Sequence, residues 1–99
     1  MTIRHIVAWQ VAAEDAVLKA EHARGIADRL LALEGVVPEI LSISAGPEAL
    51  YEQNWDVAVV ADFADREALE RYQIHPAHQE VVAYVRSVVS GRVAVDFEV

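Results

Sequence analysis

The sequence contains no cysteine among its 99 residues, which excludes disulfide bonds, thiolate nucleophiles and cysteine metal ligands. Basic residues are scarce as well, since 8 lysines and arginines stand against 16 acidic residues and give a net charge of −8. No basic cluster offsets this charge, so we expect neither nucleic acid nor a membrane surface as a partner. No apolar run approaches the roughly 20 residues that a membrane-spanning helix needs, and residues 1–11 lack the continuous apolar stretch of a secretory signal. We therefore expect a cytoplasmic protein with a single domain over residues 1–99.

The spacing of hydrophobic residues predicts four strands separated by helices. Alternating or continuous apolar patterns indicate strands at residues 3–11, 39–45, 55–63 and 92–99. Between the first two, apolar residues recur at three- and four-residue steps over residues 13–34, which is typical of a helix whose end is set by Gly35 and Pro38. Before the last strand, Asp65 is a good N-cap for a second helix, and a third helix should end at Ser90-Gly91. This order predicts an α+β, ferredoxin-like fold with a four-stranded antiparallel sheet and helices on one face.

Two of the predicted strands are apolar on both faces, although the helices of one chain can cover only one face of the sheet. We assign five residues to the face without helices: Val7, Trp9, Trp55, Val57 and Val59. Exposure of that much apolar surface would cost on the order of ten kcal/mol. We therefore expect a homodimer in which two sheets pack together as a dimeric α+β barrel.

The segment from Tyr72 to His78 carries the chemistry-bearing residues of the chain. A proline disfavours helix at the residue before it but suits the first position of a new helix, so one helix should end near His75 and the next should begin at Pro76. Tyr72 and His78 would then converge across the break. In that arrangement His78 can act as a general base, and Tyr72 can donate a hydrogen bond to a developing enolate oxygen. His5, on the first strand, could orient a substrate in the same cavity.

Structural roles for these residues remain open alternatives. His75 could be the N-cap before Pro76, His78 could brace the helix junction, and Tyr72 could pack its ring and bond to a backbone carbonyl. A metal site is disfavoured, because the spacing of the histidines matches no metal-binding motif with a known mechanism.

Several segments, in their order along the chain, resemble the stress-responsive A/B barrel (Dabb) family of dimeric α+β barrels. They are Ile3-Arg4-His5-Ile6-Val7, Val59-Val60-Ala61-Asp62-Phe63, Leu69-x-x-Tyr72, His75-Pro76-Ala77-His78 and Val95-Asp96-Phe97. The tyrosine followed by His-Pro-x-His is similar to the segment of a plant member, olivetolic acid cyclase, which closes a linear polyketide by aldol condensation without a cofactor. The resemblance implies catalytic roles for Tyr72 and His78.

Three functions follow as expectations. The first is a homodimeric barrel that binds a small apolar or aromatic ligand near Tyr72 and His78, with the pocket walls formed by His5, Val7, Trp9, Trp55, Val57 and Val59. The second is a cofactor-independent polyketide cyclase, isomerase or lyase that uses His78 and Tyr72. The third is a cofactor-free monooxygenase of related barrel architecture, which rests on analogy of fold. None of the three requires a cofactor.

Overall fold

The structure is a computed structural model that describes residues 1–99. Its seven elements are β1 (Ile3–Val11), α1 (Ala16–Leu31), β2 (Ile40–Gly46), β3 (Val57–Phe63), α2 (Arg66–Ile74), α3 (Pro76–Val88) and β4 (Val89–Glu98). The strands form one antiparallel sheet in the order β2-β3-β1-β4. The predicted ferredoxin-like arrangement is confirmed. No helix is both long and apolar enough to cross a membrane.

Several predicted boundaries differ from those observed. The first helix begins after Asp15 rather than at residue 13, because the Asp15 carboxylate accepts a hydrogen bond from the Leu18 amide at 2.9 Å and caps the helix there. Trp55 precedes β3 instead of opening it. The third helix ends at Val88 rather than at Ser90-Gly91, because α3 passes directly into β4 and both residues belong to the strand.

The face of the sheet that carries the helices holds the hydrophobic core. Val7, Trp9, Val57 and Val59 are buried on that face, against α1, α2 and α3. Their assignment to the face without helices is therefore wrong. Alternation shows which residues share a face, but it does not show which of the two faces the helices cover.

The opposite face, which we call the open face, is also apolar at its centre. Residues directly opposite each other on paired strands share a face, and one such row runs through Val95, Ile6 and Val60 across β4, β1 and β3. Val93 and Phe97 extend the apolar surface along β4, where both are about half exposed. The sequence thus predicted an uncovered apolar face correctly but named the wrong residues for it.

Candidate functional site

The break between α2 and α3 is fixed by His75 and Pro76. Extended backbone at His75 (φ −61°, ψ 133°) ends α2, and Pro76 occupies the start of α3. The His75 Nδ1 atom accepts a hydrogen bond from the Ala77 amide at 3.1 Å, so this side chain caps α3. The N-cap role considered for His75 is the one observed.

Tyr72 and His78 meet across this break. Tyr72 lies in the last turn of α2 and His78 in the first turn of α3, and their ring centroids are 4.2 Å apart. The Tyr72 ring also packs against Phe63 of β3, at 4.8 Å between centroids. These contacts fix the orientation of both rings before any ligand arrives.

The Tyr72 hydroxyl forms no hydrogen bond within the chain, and the buried Tyr72 side chain lines the adjoining cavity. Burial raises the pKa of Tyr72 to about 12. The group therefore stays protonated at neutral pH and can donate a hydrogen bond to an oxygen in the cavity.

His78 is held in one tautomer by its own helix junction. Its Nδ1 atom lies 3.1 Å from the backbone carbonyl oxygen of Gln73. A carbonyl can only accept, so Nδ1 carries the proton and Nε2 keeps a free lone pair. Burial lowers the pKa of His78, and the backbone bond to Gln73 opposes this only in part. The side chain is consequently a neutral base at pH 7.

His5 forms the third polar group of the site. It is buried on β1, and its Nδ1 atom pairs with the Asp96 carboxylate, which lies directly opposite on β4. Its ring centroid is 6.3 Å from that of Tyr72. The pairing with Asp96 orients the imidazole, so His5 presents its Nε2 edge on a fixed wall of the site.

These three side chains line a cavity of about 430 Å³ between α3 and the sheet. Of the pocket walls predicted from the sequence, His5, Val7, Trp9 and Val59 line this cavity together with Tyr72 and His78. Val57, the first residue of β3, and Trp55, which precedes the strand, do not line it. The structure contains no cluster of three or more His, Asp or Glu side chains that could hold a metal ion.

Sequence reasoning missed the wall formed by α3 and the start of β4. It includes Gln79, Val85, Arg86, Val89 and Arg92. The sequence places several valines on the third helix, among them Val81 and Val85, but no local pattern distinguishes a valine that packs on the sheet from one that lines a cavity.

Comparisons with known proteins agree with this fold. The sequence matches the family described as the stress responsive A/B barrel domain over residues 3–99. A dimeric ferredoxin-like protein of unknown function from Thermobifida fusca is 29% identical, with a TM-score of 0.84 and coverage of 100% of this chain and 92% of the other. A dimeric protein of unknown function and ferredoxin-like fold from Bacteroides fragilis is 20% identical, with a TM-score of 0.89 and coverage of 99% and 96%.

A more distant structural neighbour is an enzyme. The hydroxynitrile lyase of Passiflora edulis is 15% identical, with a TM-score of 0.79 and coverage of 97% of this chain and 91% of the lyase. At that identity the likeness shows the fold alone. No curated protein matches the sequence.

Proposed function

Because this chain belongs to the stress responsive A/B barrel family, we propose that it is a homodimeric, cofactor-independent acid–base catalyst that acts on a small, largely apolar carbonyl compound. The observation that carries the proposal is the pairing of a free imidazole Nε2 on His78 with an unpaired hydroxyl on Tyr72 at one cavity wall. Both side chains line the cavity, and neither of these two atoms is hydrogen-bonded within the chain. The reaction class is that of a polyketide cyclase, isomerase or lyase.

The proposed reaction begins with a substrate that carries a proton on the carbon next to its carbonyl group. The His78 Nε2 lone pair removes that proton from the α-carbon, and the C–H electron pair moves to give an enolate. The Tyr72 hydroxyl donates a hydrogen bond to the enolate oxygen as its charge develops. The protonated His78 then returns the proton to carbon in an isomerisation, or to the new alkoxide in an aldol closure.

The cavity supports a substrate with an apolar body. Nine of its 15 lining residues are hydrophobic, and an aliphatic chain or an aromatic ring would bury its surface against them. The hydroxynitrile lyase neighbour supports the compatibility of this fold with lyase chemistry, while the residues that carry the proposal come from the present chain alone.

Exchange of deuterium from solvent into the α-carbon of ketones and β-keto esters tests proton abstraction without requiring the natural substrate. We expect the wild-type protein to accelerate exchange for part of such a panel. His78→Gln should reduce the acceleration about 10²- to 10⁴-fold, and Tyr72→Phe about 10²-fold or more. His22→Gln on α1, outside the cavity lining, is the control and should leave the rate unchanged. Exchange that persists in His78→Gln would contradict the proposed base.

Ligand binding without turnover is the second candidate, and the mainly apolar lining of the cavity favours it. Compounds that raise the melting temperature of the protein but undergo no exchange across the panel would assign the chain to that class. The same compounds should then lose their effect when Val85 is replaced by tryptophan, which would fill the cavity from the α3 wall.

The homodimer has its own support. The Thermobifida fusca and Bacteroides fragilis neighbours are both dimeric, and the open face presents Ile6, Val60, Val93, Val95 and Phe97 to be covered. Two copies of this face would remove each other's apolar surface from water.

A further inference from the structure

The formal charges on the residues that line the cavity are of one sign. None of the 15 residues that line it is acidic, although the chain contains 16 aspartate and glutamate residues. The two formally charged lining residues are Arg86 and Arg92. An acidic protein thus keeps a positively charged wall at this one place.

Neither arginine has a protein partner. The carboxylates that pair with arginines elsewhere engage Arg4, Arg24 and Arg71, while Arg86 and Arg92 form no salt bridge and no side-chain hydrogen bond. The C-terminal helix dipole offers a structural reason for Arg86, which lies in the last turn of α3. It offers none for Arg92, which lies on β4 opposite Trp9.

The two arginines lie at the opposite end of the cavity from the proposed acid–base pair. Arg86 is eight residues beyond His78 on α3, about 12 Å along the helix. Arg92 is opposite Trp9, which is four residues beyond His5 on β1, or about 13 Å along the strand. Valine side chains from α3 and the sheet line the space between the two ends. Burial is the main cause that lowers the pKa of His78, and the charges of His5 and then Arg92 lower it further.

We propose that Arg86 and Arg92 bind the carboxylate of an oxo acid whose reacting carbonyl lies at the far end of the cavity, against Tyr72 and His78. This inference rests on the proposed function for the identity of the reacting end and adds the class of substrate. Guanidinium groups recognise carboxylates through paired N–H donors, and an apolar chain between carbonyl and carboxylate matches the valine-lined middle. Both arginines are exposed, so the anionic end stays in contact with solvent.

Matched pairs of probes test the carboxylate. Oxo acids of several chain lengths, such as 5-oxohexanoate and 7-oxooctanoate, are titrated beside their methyl esters, with quenching of tryptophan fluorescence as the signal, because Trp9 lines the cavity. We expect at least one acid to bind about tenfold more tightly than its ester at low salt, and the difference to shrink as salt rises. The double variant Arg86→Met, Arg92→Met should bind acid and ester equally. Arg66→Met, which removes one positive charge from the first turn of α2, should keep the preference.

Three results would overturn the inference: no acid bound more tightly than its ester, a preference that survives in the double arginine variant, or a monoalkyl phosphate bound more tightly than the carboxylate of equal length. The binding assay requires no turnover, so it is separable from the proposed catalysis. If the protein prefers acids but exchanges no α-proton, the result supports the anion site and contradicts the proposed catalysis. If it exchanges α-protons but binds acids and esters equally, the result supports the catalysis and contradicts the anion site.

Discussion

Replacement of Val95 by aspartate separates assembly of the dimer from folding of the chain. Val95 is 55% exposed on the open face, at the end of the row that continues through Ile6 and Val60. A carboxylate at this position stays hydrated in a single folded chain. Val59→Asp would be different, because Val59 is 2% exposed beneath the helices and a carboxylate there would unfold the protein.

The expected magnitude follows from the two-fold symmetry of the proposed dimer. Loss of the Val95 side chain removes about 1 kcal/mol of apolar burial from the dimer interface at each site. This is half of the usual value for a fully buried valine, because Val95 is about half exposed in the single chain and only that part is buried on dimerisation. Desolvation of an unpaired carboxylate adds about 3 kcal/mol or more. With two such sites per dimer, the loss of about 8 kcal/mol corresponds to a rise in the dissociation constant of between 10⁵- and 10⁶-fold.

Sedimentation equilibrium at micromolar concentration measures this effect directly. The wild-type protein should sediment as about twice the 10.9 kDa chain mass, and Val95→Asp as a monomer with the far-ultraviolet circular dichroism of the wild type. Val17→Asp, on α1 where Val17 is 74% exposed, adds the same charge away from the open face and should remain dimeric. A dimer that survives in Val95→Asp would refute the assignment of the open face as the interface.

Two further predictions concern stability and pH. A Cβ on Gly25 would lie 2.5 Å from the Tyr84 hydroxyl oxygen, so Gly25→Ala should lower the free energy of unfolding by about 1 kcal/mol despite better helix propensity. In a Tyr84→Phe background the same change should be neutral or stabilising; equal losses in both backgrounds in urea titrations would exclude this clash as the cause. Because burial holds the pKa of His78 below its ordinary 6.5, the unfolded chain binds that proton more readily, and the free energy of unfolding should fall as the pH drops below 6.5 towards the folded-state pKa. His78→Gln should flatten that part of the pH profile, and an unchanged profile would contradict the shift.

Much of the fold could be predicted because the local signals agree with it. Alternating apolar residues indicated all four strands, Asp65 marked the start of α2, and His75-Pro76 marked the helix break. The junction of α3 with β4 was not predictable from composition, because Ser90-Gly91 is a typical turn sequence. In the fold the pair extends β4 alongside the Gln10/Val11 irregularity of β1, where tertiary pairing outweighs the local preference.

The polar part of the site was predictable and its charged wall was not. A proline between Tyr72 and His78 implies a break that brings the two rings together, so that local chain geometry is enough. The positions of Arg86 and Arg92 depend instead on the register of β4 against β1 and on the path of α3 over the sheet. Strand register and helix packing are long-range features of the fold, and a short sequence motif does not predict them.

The alternation of β4 connects the candidate site with the proposed interface. Val95 and Phe97 face the open side, whereas Asp96 between them points to the helix side and holds His5. β4 is an edge strand that pairs only with β1, so a second copy packed on the open face would restrain the backbone that positions Asp96. Tyr72 and His78 depend on the helix junction and not on β4. A monomeric Val95→Asp variant should therefore keep the base and the hydroxyl donor in place while loosening the His5–Asp96 pair. The ¹⁵N resonances of the His5 imidazole, measured against those of His78, would distinguish this outcome from a general loss of structure, which would broaden both.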